Sequence, residues 1–339
     1  MHPGVHAHFA RQEGLVTREQ LLDLGLTPSL ILHMLREGEL MLVRRGVYAD
    51  PVVWAALDEY RGRPRLRARA AIMKMRRGWV LSHDSSAHEL RMEIVHPEEP
   101  LVHVTRPGLT NAWTKAGVKH HLARFRDDQV VEVNGMRALD LARTAVDIAR
   151  ERGVSHGLAA CDSAMRLGCP REKLWEAVAP MSHWGGVTWA RTSIELADPG
   201  AQTVIESLGR ELVHELGIGA PETQFPVETA RGIAWCDIRV GPHVFECDGR
   251  IKYLGPDRGG VADSKVEDVL WSEKMRQTLV CAEGLGMSRI VWDDFWGERR
   301  VAARARLRAE YDVSVARFGE HLAPHLARNA ERIRGRIGA

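Results

Sequence analysis

The chain reads as an α/β multidomain protein with a winged helix-turn-helix in front, a mixed α+β middle and a C-terminal α/β unit. Three observations support this. Residues 17–48 run helix, short turn, helix and basic-tipped hairpin. Residues 51–184 mix amphipathic helices with short strands. Residues 202–292 run helix, three strands, helix and strand, the order of a mixed sheet covered by helices. The expected units are residues 1–50, 51–184 and 185–296, followed by a basic helical tail at 297–339.

Bulk properties narrow the function classes. The 339 residues are 45% hydrophobic, enough for more than one core. Charged residues make up 27%, yet the formal net charge is only +2. A nucleic-acid surface must therefore be a local patch. The five cysteines are scattered without a CxxC pair. That argues against a zinc cluster or a disulfide framework and suits a reducing cytosol. No stretch approaches the ~18 apolar residues of a membrane span, and residues 1–30 lack a signal-peptide core. A cytoplasmic protein is expected.

In the front unit, Thr17-Arg18-Glu19-Gln20 reads as a capping box, and Gly25 ends the helix it opens. Thr27-Pro28 opens the second helix, which runs to about Glu37. Leu30, Ile31, Met34 and Leu35 share its apolar face; Ser29, His33 and Arg36 lie off it. These three are the expected major-groove residues, with Arg44 and Arg45 on the wing meeting phosphates. The run GLVTREQLLDLGL…LREGELMLVRRGVYAD resembles the N-terminal domain of AbiEi-type antitoxins of type IV toxin–antitoxin systems. That resemblance implies DNA binding, often autoregulatory, and leaves a cognate toxin, another protein partner or a homodimer as open alternatives. Protein docking is the competing use of such a domain.

In the middle, Arg61–Arg77 reads as a helix with a basic outer face, solvated or phosphate-binding. Ser82-His83-Asp84 is no triad by adjacency alone, because a triad is defined by geometry. His120-His121 lacks Asp, Glu or Cys at ligand spacing and is set aside as a metal site. A helix is expected over Ala138–Arg150, and Trp184 and Trp189 are expected to fill the joint before the last unit.

The C-terminal unit carries the chemistry. Trp235–Val240 and His243–Asp248 read as two apolar strands joined at Gly241-Pro242. Asp237, Glu246 and Asp248 stand among Ile, Val and Phe, where a carboxylate costs several kcal/mol without a compensating cation. Cys247, between acids, reads as a core thiol. With Glu206 on the preceding helix, this order resembles the PD-(D/E)XK nuclease superfamily, a restriction-endonuclease-like fold. Glu246-Cys247-Asp248-Gly249 looks like its very-short-patch-repair branch.

The resemblance implies Mg²⁺ (or Mn²⁺) held by Asp237, Glu246 and the Cys247 carbonyl, with Glu206 holding a metal-bound water. The superfamily's lysine falls on Asp248; Lys252, Lys274 or Arg276 would supply the positive charge. The expected activity is a metal-dependent DNA endonuclease, in a phage-defence or toxin–antitoxin setting. The alternatives are a non-enzymatic regulator or antitoxin with a degenerate nuclease-like domain, and a toxin acting on RNA.

Overall fold

The computed structural model describes residues 2–75, 78–107, 112–248 and 266–337. The front unit holds α1 (Pro3–Arg11), β1 (Leu15–Thr17), α2 (Arg18–Asp23), α3 (Pro28–Arg36), β2 (Met41–Arg44) and β3 (Val47–Ala49). Its antiparallel sheet has the order β1-β3-β2. The capping box forms as its sequence requires: Thr17 Oγ1 accepts from the Gln20 N–H, and Gln20 Oε1 accepts from the Thr17 N–H. Thr27 caps α3 in the same way. Ile31 and Met34 enter the core with Leu21, Val16 and Phe9 of α1, a helix not expected from the sequence. Leu30, expected on the apolar face, is instead 45% exposed beside Leu32.

The middle unit begins with α4 (Pro51–Ala56) and α5 (Gly62–Ile72). It continues with β4 (Val80–Leu81), α6 (His83–Glu89), β5 (Val102–Arg106), β6 (Trp113–Lys115), β7 (Val118–Leu122), β8 (Val130–Val133) and β9 (Met136–Leu139). The helices α7 (Leu141–Arg152), α8 (Val154–Arg166), α9 (Arg171–Val178) and α10 (Val187–Leu196) complete it. The six strands form one mixed sheet, β6-β7-β5-β4-β9-β8. Strand alternation divides β5 between two layers. Val102 and Val104 pack with Ala68 and Ile72 of α5. The His103 N–H donates to Ser85 Oγ of α6 at 2.9 Å, on the helical side.

Several expectations change here. Of the arginines of α5, Arg67 is exposed and lies, like Arg63, over Trp54, while two others are engaged by acids. Arg65 and Arg69 both bind the buried Glu89 at 3.0 Å and also reach Glu13 of the front unit. Ala138 belongs to β9, and the helix starts at Leu141 because Asp140 caps it through the Arg143 N–H. Val187, Ala190 and Ile194 of α10 join the α7–α8 core, so this helix packs its apolar face with the middle unit. Trp184 lies under Arg143 and Arg150, while Trp189 is exposed.

The last unit contains α11 (Val204–His214), β10 (Glu222–Thr229), β11 (Gly232–Val240), β12 (His243–Asp248), α12 (Val266–Ala282), β13 (Gly286–Val291), α13 (Gly297–Phe318) and α14 (Pro324–Ile337). Its sheet order is β10-β11-β12-β13, with β12 and β13 parallel and the other pairs antiparallel. Leu208 and Leu212 of α11 and Leu307 of α13 cover one face; Val280 of α12 and Leu326 of α14 cover the other. The expected tail is thus part of the unit's core. Two of its arginines reach back to the sheet: Arg332 pairs with Glu228 at 2.5 Å, and Arg334 pairs with Glu222.

Close approach of α11 to β12 depends on Gly209. A Cβ there would stand 2.5 Å from Cys247 Sγ, a short side chain with no room to retreat. Gly209→Ala should cost about 1–3 kcal/mol by overpacking, read as a lower denaturation midpoint; an unchanged midpoint would contradict this packing.

His243 at the start of β12 sits between Ser314 and Ser288, 2.7 Å from each hydroxyl, and burial lowers its imidazole to about 4. A depressed value gives stability that is present above the ordinary histidine range and lost as pH falls toward 4. The loss amounts to about 3 kcal/mol. Thermal melts between pH 7 and pH 4 should therefore fall more steeply for the native chain than for His243→Gln.

Candidate functional site

The front unit presents Ser29, His33 and Arg36 on the exposed side of α3, and Arg45 exposed at the wing tip. His33 Nδ1 lies 3.9 Å from Glu37. The wing is anchored from behind, where the Arg18 N–H donates to the Gly46 carbonyl at 2.9 Å. Arg44 differs from its neighbour. It is half-buried, burial lowers its pKa, and its charge acts on His120 of β7. Arg44 therefore faces the middle unit and only Arg45 stands out at the tip.

The C-terminal carboxylates arrive from three elements. Thr203 caps α11 and places Glu206 in its first turn. There Glu206 is buried and held on several sides. It accepts from the Gln202 N–H at 2.8 Å, Thr203 Oγ1 at 2.8 Å and Gln224 Nε2 at 3.1 Å. Its pKa is raised, by burial first and also by the Asp237 charge, so these two acids are neighbours.

Asp237 interrupts the sheet. Backbone pairing of β11 with β12 runs from Val240↔His243 to Ile238↔Phe245. Next along, Asp237 Oδ2 accepts the Cys247 N–H at 2.8 Å. The faces change over at this point. Ile238 packs with Leu208 of α11, whereas Cys236 packs with Val280 of α12. Burial raises the Cys236 thiol pKa, and the charges of Glu246 and Asp237 raise it further, which places both acids beside one sulfur.

Glu246 is buried and receives Arg276 from α12, which also donates to the Trp235 carbonyl at 2.9 Å. Asp248, in the position of the superfamily's lysine, is bound by Arg289 of β13 at 3.1 Å. Arg289 was not singled out from sequence, although its register opposite Glu246 in β13 follows once the parallel pairing is known. Cys247 is buried with its sulfur toward α11. Lys274 is exposed. Lys252 lies outside the described residues. Asp237 thus acts on Glu206, Asp237 and Glu246 both act on Cys236, and Arg276 pairs with Glu246 as the nearby cation expected from the sequence.

Residues 7–49 match the family model described as transcriptional regulator, AbiEi antitoxin. The front unit is AbiEi-like. Two curated proteins of Mycobacterium tuberculosis are also similar: the uncharacterized protein MT2308 of strain CDC 1551 / Oshkosh and the uncharacterized protein Rv2248 of strain ATCC 25618 / H37Rv. Each is 30% identical over 146 residues, 41% of this chain and 53% of the relative. The chain spans about half the length of these relatives. A solved structure, the RV2827C protein from Mycobacterium tuberculosis, is 18% identical with a TM-score of 0.39, over 61% of this chain and 78% of that one. No helix among the described residues is long and apolar enough to cross a membrane.

The different settings of the two wing arginines predict different phenotypes. Arg45→Ala should weaken binding to duplex DNA and lower the slope of log affinity against log salt by about one. Arg44→Ala should change that slope less, and equal slopes for both variants would contradict the assignment.

Proposed function

We propose that the chain binds DNA through its AbiEi-like front unit and hydrolyses phosphodiesters at the Glu206–Asp237–Glu246 centre. The observation that carries the second half is Asp237, which takes the Cys247 amide beside Glu246 on the strand and acts on the buried Glu206 of α11. The helix, three-strand, helix, strand order with a parallel closing strand supports the nuclease-like reading.

Asp237 and Glu246 would hold Mg²⁺ or Mn²⁺. The donor chemistry fits, since these are oxygen ligands and Glu206 and Asp237 repel each other until a cation lies near. Bound there, Mg²⁺ supplies a nucleophilic water near neutral pH and offsets charge on the phosphate. The chain's own residues set the frame. The donors around Glu206 fix its carboxylate against Asp237, and the Cys247 amide fixes Asp237. Arg276 brings a guanidinium to Glu246, where it can also meet a phosphate oxygen in place of the lysine.

A second reading has its own observation. Arg276 already compensates Glu246, and Arg289 already compensates Asp248. That arrangement suits a regulator or antitoxin whose nuclease-like unit binds a partner without cutting.

The purified chain with Mn²⁺ and plasmid or RNA separates the two. Metal-dependent cleavage is expected, with Asp237→Ala reducing its rate by about 100-fold or more. Absence of cleavage at every protein and metal concentration favours the second reading.

A further inference from the structure

The fold gathers a second polar cluster, in the middle unit, from residues 83, 103, 121 and 151. His83 begins α6, His103 lies on β5, His121 on β7 and Glu151 in the last turn of α7. Parallel pairing of β5 with β7 sets Thr105 opposite His121 and His103 opposite Lys119, so both histidines share the helical face. One donor atom from each of the four residues lies within 4.8 Å of all the others. His83 Nε2 is 3.3 Å from Glu151 Oε2, His121 Nδ1 is 3.6 Å from it, and His103 Nδ1 is 2.9 Å from His121 Nε2.

These separations have a chemical meaning. Four ligands at ~2.1 Å around a tetrahedral ion stand about 3.4 Å apart. Both imidazole–carboxylate distances are close to that. The surroundings also orient the donors. His83 Nδ1 is 3.0 Å from Ser82 Oγ, which leaves Nε2 for Glu151. Lys119 Nζ holds Glu151 Oε1 at 2.8 Å, which leaves Oε2 toward the rings. His103 Nε2 is buried with no hydrogen-bond partner among the described residues. Outer bonds of this kind fix ring orientation at metal centres. His83 also takes a φ of 49°, a left-handed conformation that is uncommon outside glycine.

We propose that His83, His103, His121 and Glu151 bind one divalent transition-metal ion, with zinc the best match. Three imidazoles and a carboxylate are donors for zinc and its neighbours, whereas Mg²⁺ takes oxygen. With four protein ligands the site is closed, which marks it as structural. The ion would join α6, β5, β7 and α7, the elements on which the helical bundle sits against the sheet. The proposal stands apart from the nuclease reading, because it uses none of the C-terminal residues.

The test uses the full chain, stripped by chelator and titrated with Co²⁺ and then Zn²⁺. One equivalent of Co²⁺ should give the intense visible bands of four-coordinate geometry, Zn²⁺ should abolish them, and Zn²⁺ should raise the melting temperature. Glu151→Gln, at a partly exposed position, and His121→Ala should each lose the bands. Ser82→Ala keeps every ligand and should weaken Zn²⁺ binding about tenfold or more. Asp237→Ala should leave the spectrum unchanged, which separates this site from the carboxylate centre. Failure of the native chain to bind Co²⁺ or Zn²⁺ saturably overturns the proposal. So does an undiminished Co²⁺ spectrum in Glu151→Gln, whose folding is checked by circular dichroism.

Discussion

The bond from the Cys247 amide to the Asp237 carboxylate decides how the C-terminal unit is built. A buried amide must find an acceptor, and in an antiparallel pair that acceptor is normally a carbonyl across the ladder. Here the side chain of Asp237 takes its place just beyond the last backbone pairing. The strand changes faces, so Ile238 and Cys236 serve different cores. Glu246 then meets α12 through Arg276, while Cys247 meets α11 at Gly209. Glu246 and Cys247 reach different helices through the ordinary alternation of β12, which stays paired with β13, and the Asp237 bond keeps β11 joined to β12 there.

The α11 helix is fixed from its other side as well. Arg210 Nη2 donates to both carboxylate oxygens of the buried Asp162 of α8, at 2.8 and 2.9 Å. Ser155 of α8 donates to Glu211 at 3.0 Å. Breaking such a pair by removing one partner leaves an uncompensated buried charge, which costs several kcal/mol. α11 and the middle bundle therefore share a buried, charged border. At the opposite end, Arg65 and Arg69 tie Glu89 of the middle unit to Glu13 of the front unit. Arg65, Arg69 and Arg210 thus join units within the chain.

Two polar centres of opposite character result. One is acidic, oxygen-rich and bordered by Arg276 and Arg289. The other is rich in imidazole, with Lys119 and Ser82 directing its donors. Their different donor atoms suit different cations, hard in the first and borderline in the second.

Local chemistry made much of the fold legible in the amino-acid order. The Thr17 capping box, the Thr27-Pro28 start, the exposed Ser29–His33–Arg36 side of α3 and the helix–strand order of the last unit all depend on near neighbours. Periodicity also marked Asp237 and Glu246 as costly carboxylates, because flanking apolar residues show a strand's burial. Tertiary structure decided what those signals could not reach. Arg44 turns inward where the wing lies near β7, Arg65 and Arg69 of α5 find an acid in another unit, and Arg332 and Arg334 of α14 find acids over a hundred residues away. His120-His121 lacked a carboxylate partner at ligand spacing, yet Glu151 reaches His121 across the fold from α7. Sequence spacing reports only the contacts within a helix turn or a strand pair. Clusters assembled from a helix start, two strands and a helix end become visible only when the chain has closed on itself.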